Sequence, residues 1–172
     1  MDNARVSSDP ITDGTSPSSR EADGVLAAVR RLPLEVFSQG KLGVLDEVLA
    51  PDYVDHSFTP GMPQGADGIR HIVSQLRAAM PDLNVKLDIE LRDGAFVVHH
   101  VHLSGTNTGA AFGVPATGRR AVWAATNIFR TRGNVIVEHW GVVKLDSLWL
   151  QLGLIDMPGA VRASQPPQAV NA

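Results

Sequence analysis

At Pro81 the hydrophobic period of the chain changes, and few folds accommodate such a change. Before it, GIRHIVSQLRAAM (68–80) sets Ile69, Ile72, Val73, Leu76 and Met80 on one stripe, the spacing of an amphipathic helix. After it, LNVKLDIEL (83–91) alternates. Leu83, Val85, Leu87, Ile89 and Leu91 are apolar, and Asn84, Lys86, Asp88 and Glu90 are polar, which predicts a half-buried strand with the charged set in water. Helices first and antiparallel strands afterwards specify an α+β chain, with helices on one face of a curved sheet. Helices do not cover the whole concave face of such a sheet, and the open remainder is a natural apolar pocket.

The rest of the chain fits that division. GVLAAVRRLPLEVFSQG (24–40) is helical in pattern, with Pro33 expected to kink or interrupt it and Gly40 to end it. LGVLDEVLA (42–50) reads as a short helix stopped by Pro51. Beyond the RDG turn, AFVVHHVHLSG (95–105) is a second strand; RRAVWAATNIFRTR (119–132) and VIVEHWGVVK (135–144) follow, and SLWLQLGL (147–154) closes as a helix. Residues 1–20 and 161–172 are too polar, or too rich in Ser, Pro and Gln, to offset their ordering entropy and are expected to be disordered tails around one domain at 21–160.

Charge and composition exclude several classes. A formal net charge of −3 leaves no basic footprint for nucleic acid. The absence of cysteine removes thiolate chemistry and Cys-type metal sites, and fits a cytoplasmic protein. No apolar run approaches the roughly 20 residues that span a bilayer, and the polar N-terminus has no apolar signal core. Arginine well in excess of lysine hints at a GC-rich bacterial source.

Strand alternation then sorts the side chains. Val97, His99, Val101 and Leu103 form the apolar set of the second strand, so His99 is expected inside and His100 and His102 outside. Trp123, Ala125, Asn127 and Phe129 share the inner face of the third. Val135, Val137, His139, Gly141 and Val143 share that of the fourth, with Glu138 and Lys144 in water. A lone inward histidine is more often a satisfied core residue than a catalyst. Convergence of His99, Asn127 and His139 from adjacent strands carries a desolvation cost that packing alone does not explain. Gly141 lies two residues beyond His139 on the same face, and glycine within a strand marks a bulge or a close approach.

Other chemistries find less support. HHVH suggests a metal cluster, but His100 and His102 face outward, and no HExxH is present. Ser57 and Ser104 lie in no GxSxG elbow. GTNTGAAFG joins strands without a helix N-terminus to hold phosphate, so no nucleotide cofactor is expected, and with no carboxylate at helical spacing from a histidine no metal is expected either. Asp55 and His56, just after Tyr53, read either as an acid–base pair at the pocket mouth or as a turn cap and a surface residue.

LAPDYVDHS, the helix after GADG, GTNTGAAFGVPATGRR, NIFRTRGNVIVEHW and LWLQLG, in this order, resemble the SnoaL-like polyketide cyclases, also called ester cyclases, of the nuclear-transport-factor-two-like superfamily. The resemblance covers about residues 25–155. It implies a cone-shaped α+β barrel of a strongly curved, mainly antiparallel sheet on N-terminal helices. It also implies a homodimer through the outer sheet face and a deep pocket for a hydrophobic small molecule. In the cyclases a carboxylate two residues after the His of the EHW-type motif is the essential acid/base; here that position is Gly141, and Asn107 stands where another histidine is common. The functional expectation is therefore a cofactor-independent cyclase or isomerase acting on a polyketide-like or terpenoid molecule with altered acid–base groups. His139, Asn127 and His99 are the candidate catalytic residues, since imidazole changes protonation between pH 5 and 8. Trp123, Phe129, His56 and Gly141 are the candidates for substrate contact. The alternatives are a non-catalytic ligand-binding or accessory protein and an epoxide-opening hydrolase, which needs carboxylates with an arginine inside the cone.

Overall fold

The computed structural model describes residues 19–58 and 60–156. Residues 1–18 and 157–172, which hold most of the expected tails, lie outside the described residues, whereas Ser19 and Arg20 belong to the first helix. The fold is α+β, as expected. Helices α1 (Ser19–Arg31), α2 (Leu45–Val48), α3 (Gly65–Ala79) and α4 (Leu145–Leu152) accompany strands β1 (Leu49–Asp55), β2 (Asn84–Asp93), β3 (Phe96–Thr106), β4 (Arg120–Arg132) and β5 (Val135–Val143). The strands form one mixed sheet in the order β1-β5-β4-β3-β2, open at both edges. β1 runs parallel to β5 and the other pairs are antiparallel.

Pro33 interrupts the first helical region as its chemistry requires. Having no N–H, it cannot join the regular ladder, and Leu32–Phe37 winds as a π-type turn in which Ser38 N donates to Pro33 O. The expected second helix is shorter than its pattern. It stops at Val48, and the chain passes through Pro51 as an edge strand. An edge position tolerates proline, and the β1–β5 register shifts between Leu49 and Val54, around that residue.

The inner faces of β3 and β4 follow their alternation: Val97, His99, Val101 and Leu103 are buried, as are Trp123, Ala125 and Phe129. The other two long strands carry bulges that move the boundary. Leu87 pairs with Val101 but Ile89 with His100, so Asp88 is an extra residue and the two faces exchange beyond it. Ile89 and Leu91 therefore point outward, 51% and 62% exposed, and Glu90 turns inward to face His99. In β5, Arg130 pairs with Glu138 and Thr131 with Ile136, so Val137 is the extra residue there, and Ile136, rather than its odd neighbours, is the fully buried side chain at that level.

Two apolar clusters result. One joins α1, α2 and α3 to the sheet through Val29, Val36, Leu45, Val73, Phe129 and Ile136. The other gathers Met80, Leu83, Leu103, Trp123, Leu148 and Leu152 beneath α4. The loop after β3 is fastened to the second, because Thr108 and Gly109 both donate to the Ala79 carbonyl at 3.0 Å. Asn107 is its clamp, buried, donating to Gly109 O and accepting from Thr117.

The approach is so close that a β-carbon on Gly109 would stand 2.1 Å from the Ala78 carbonyl oxygen. Gly109→Ala is expected to lower unfolding free energy by about 1–3 kcal/mol through forced backbone movement. Gly43→Ala, where nothing lies within 4 Å, should leave stability nearly unchanged. Chemical denaturation of the two variants checks the contrast, and equal stabilities would refute it.

Candidate functional site

Members of both clusters line a cavity of about 670 Å³ between the helices and the concave sheet face. Its walls are apolar, with Trp123, Leu103, Val101 and Leu148 at one end and Leu32, Ile69 and Phe129 at the other. Among the polar residues lining it are Asp55, Ser57, His99, Asn107, Asn127 and His139, and Gly141 lies on the same wall.

Asp55 and His139 are direct register partners in the parallel β1–β5 pair, which sets their side chains on one face. His139 Nδ1 donates to Asp55 Oδ2 at 2.8 Å. Tyr53, two residues earlier on β1, donates its hydroxyl to the same oxygen at 2.8 Å, and the Ser57 amide donates to Oδ1 at 2.8 Å. Burial pushes the Asp55 carboxyl up. The bonds from His139, Ser57 and Tyr53 outweigh that and hold it below the usual carboxylate range, ionised. Burial first, and then the charge of Asp55, pushes the Tyr53 phenol far up, so it stays a neutral donor.

On its other side, His139 Nε2 lies 3.0 Å from Asn127 Oδ1. Asn127 serves either protonation state of the ring. Its carbonyl accepts from an imidazolium, and after a half-turn its amide donates to a neutral Nε2. The Phe129 ring stacks on His139 at 5.0 Å and 23°. Gly141 makes this arrangement possible, because a β-carbon there would stand 2.8 Å from His139 Cε1, 3.0 Å from Nε2 and 3.3 Å from Asn127 Oδ1. The imidazole occupies the room that a side chain at 141 would take.

A second carboxylate–imidazole pair lies toward the other sheet edge. His99 is wholly buried, and its Nε2 is 2.9 Å from Glu90 Oε2. Arg30 Nε reaches both Glu90 oxygens at 3.0 Å. His99 Nδ1 is buried without a hydrogen-bond partner.

Of the residues singled out from sequence, His139, Asn127, His99, Trp123, Phe129 and Gly141 all line the cavity. His56 does not. Its ring stacks on Trp140 at 4.6 Å, and its Nε2 is 3.0 Å from Glu138 on the outer side, because the residue after Asp55 turns to the opposite face. The Asp55–His56 pairing is thus replaced by Asp55–His139. His100 and His102 bond to Thr126 and Asp88 on the outer face. Among the described residues no group of three or more His, Cys, Asp or Glu is placed to hold a metal ion, and no helix is long and apolar enough to cross a membrane.

Comparison with known proteins fits this architecture. The family model described as SnoaL-like polyketide cyclase matches residues 27–152. The chain belongs to that family. Among solved structures, this SnoaL-like chain is similar to TsrD from Streptomyces laurentii, with 25% identity, TM-score 0.70, and coverage of 81% of this chain and 100% of that one. IdmH from Streptomyces antibioticus is 29% identical, with TM-score 0.66 and coverage of 78% and 99%. AclR from Streptomyces galilaeus, at 23% identity, TM-score 0.65 and coverage of 83% and 87%, shares the fold. No curated protein sequence matches the chain.

The sequence left Asp55 of this SnoaL-like chain open between an acid–base pair with His56 and a turn cap, and gave no sign that Glu90 would turn inward to His99. Tyr53, Asp55 and Ser57 carry the period-two signal that would have marked β1, but Pro51 was read as a helix stop. Because its folded-state pKa is depressed, Asp55 contributes stability that is fully present above the unfolded carboxylate value of about 4 and is lost as pH falls through the lower folded value. The wild-type protein should exceed Asp55→Asn in unfolding free energy at pH 7, and the gap should shrink steadily below about pH 4. Denaturation curves at stepped pH measure it, and a gap independent of pH would show that the charge has no part in stability.

Proposed function

We propose that the protein is a cofactor-independent enzyme of the cyclase or isomerase type, moving protons on a polyketide-like or terpenoid molecule held in the apolar cavity. Family membership supports a cyclase or a related role, and IdmH is itself described as a candidate polyketide cyclase. The observation that carries the finer reading is His139, held between Asp55 and Asn127 at 2.8 and 3.0 Å on the cavity wall.

Aldol ring closure removes a proton from a carbon beside a carbonyl, joins the enolate to a second carbonyl and protonates the resulting alkoxide. In this reading the substrate displaces the Asn127 amide from Nε2, and the freed lone pair of neutral His139 takes the carbon-bound proton while Asp55 holds Nδ1–H and fixes the tautomer. The imidazolium so formed finds an acceptor at each nitrogen, Asp55 Oδ2 and Asn127 Oδ1, which stabilises the state that follows abstraction. His139 then returns the proton to the alkoxide, so the step consumes no co-reactant. The Asn127 amide hydrogens are left to donate to the developing oxyanion, and Trp123 and Phe129 offer flat walls for rings.

On this reading Asp55, reaching in from β1, supplies the carboxylate that the family resemblance places at position 141. That removes the main reason for preferring a non-catalytic binding protein. The epoxide-opening alternative wants an arginine inside the cone, and Arg30 does not line the cavity.

Proton abstraction is testable without the natural substrate. The protein should accelerate deuterium exchange of the α-protons of 2-tetralone in D₂O, and His139→Gln should slow the catalysed rate by about 100-fold or more. Mass spectrometry reads the exchange. Undiminished exchange in the variant would mean that the base lies elsewhere.

We also propose a homodimer through the outer sheet face. Leu91 and Ile128 share a register row through Val98, with Ile89 on the next row, and all three are exposed there, apolar surface that a second copy would cover. Light scattering should give twice the chain mass for the wild type and the monomer mass for Ile128→Lys; a monomeric wild type would refute the proposal.

A further inference from the structure

The register partners across the sheet lay the polar groups out in two rows. One row runs Asp55, His139, Phe129, Val97 from β1 to β3. The row beside it runs Gly141, Asn127, His99, Glu90 from β5 to β2. A carboxylate–imidazole pair thus enters the concave face from each edge, with Asn127 on the central strand between them. The two imidazoles stand on strands separated by one other, hence roughly 10 Å apart along the sheet.

The pairs differ in what their histidines leave open. His139 is engaged at both nitrogens. His99 is engaged at Nε2 alone, its ring packs edge-to-face on Phe129 at 5.4 Å, and its Nδ1 is orphaned in a residue that lines the cavity. Glu90 accepts the hydrogen bond from Nε2–H and also takes a two-oxygen contact from Arg30. Proton placement follows: with Nε2–H committed to Glu90, Nδ1 is a bare lone pair. Burial drives His99 toward the neutral form, and the carboxylate of Glu90, opposed in part by the charge of Arg30, does not cancel it. An unpaired acceptor in an apolar chamber is costly unless something donates to it.

We propose that His99 Nδ1 is a binding subsite for a hydroxyl group on the ligand's ring system, accepting its hydrogen bond about two strand spacings from His139. His99 is then a positioning residue that selects a hydroxylated polycycle and sets which end of it faces His139. The inference rests on the cavity being a ligand chamber and not on any reaction taking place there.

A matched pair of probes, 2-naphthol and 2-methoxynaphthalene, isolates the donor. The ratio of their Kd values, measured by quenching of tryptophan fluorescence, is compared between wild type, His99→Gln and, as an outer-face control, His100→Gln. Glutamine at 99 can still donate to Glu90 but has no atom at the Nδ1 position. Its naphthol preference should fall by several-fold to about tenfold relative to wild type, while His100→Gln keeps the wild-type ratio. In ¹⁵N-histidine-labelled wild-type protein, the unprotonated Nδ1 resonance of His99 should move on adding naphthol and stay still with the methyl ether. This second reading holds whether or not the position-99 variant folds. A preference that survives in His99→Gln, or an unmoved Nδ1 with naphthol bound, overturns the inference and leaves the His139 chemistry standing. Binding of neither probe overturns it together with the ligand-chamber reading. Loss of tetralone exchange with the naphthol preference intact would sink the proposed reaction alone.

Discussion

The carboxylate of Asp55 is two per cent exposed at its side chain and ionised, a combination that is costly unless its oxygens are well bonded. Two of its three donors, Tyr53 and the Ser57 amide, come from its own stretch of chain, and the third, His139, comes from the neighbouring strand. The arrangement therefore depends on the register of a single parallel pair, fixed locally by the bond from His56 N to His139 O at 2.9 Å. A slip of one residue would turn Tyr53, Asp55 and Ser57 to the outer face and bring His56 inside. The conformation of β1, the tautomer of His139 and the polar wall of the cavity are thus one constraint met at one place.

How much of this could be read from sequence depended on whether a strand kept its phase. β3 and β4 do, so the inward positions of His99, Trp123, Asn127 and Phe129 were legible as period-two patterns. β2 does not. Its apolar residues continue in the odd phase through Ile89 and Leu91 although the backbone has changed phase at Asp88, so the letters and the faces disagree. Such a bulge leaves no trace in alternation when the face turned outward beyond it is the one that carries the apolar residues. The cost is a pair of exposed aliphatics, and the gain is Glu90 beside His99. β1 was hidden differently. Pro51 ends a helix as readily as it sits on a sheet edge, and only the partner strand decides between them.

Gly141 illustrates how a missing side chain can be part of a site. The sequence marks it as a gap on the inner face; the structure fills that gap with the edge of the His139 ring, whose nearest atoms lie within 3.0 Å of where a β-carbon would be. A side chain at 141 and the His139–Asn127 hydrogen bond exclude one another. On the proposed reading, a carboxylate reaching in from β5 and a carboxylate reaching in from β1 behind an imidazole are two ways of furnishing the same cavity. Only the second is available to a chain with this geometry. A shared scaffold does not by itself fix the chemistry.

On the proposed reading, the two carboxylate–imidazole pairs also differ in how well each histidine suits proton transfer. A carboxylate stabilises an adjacent imidazolium in proportion to the charge it has to spare. The charge of Glu90 is partly met by Arg30, which contacts both of its oxygens, and His99 is the more deeply buried ring. Asp55 has no arginine or lysine among its hydrogen-bond partners; its donors are a phenol, a backbone amide and His139 itself. Its charge is therefore available when His139 takes up a proton, whereas a proton arriving at His99 would meet first the cost of burial and then a carboxylate whose charge Arg30 offsets in part. On the two proposals, the same two residue types, separated by one arginine, would do different work: one to carry a proton and the other to receive a hydrogen bond.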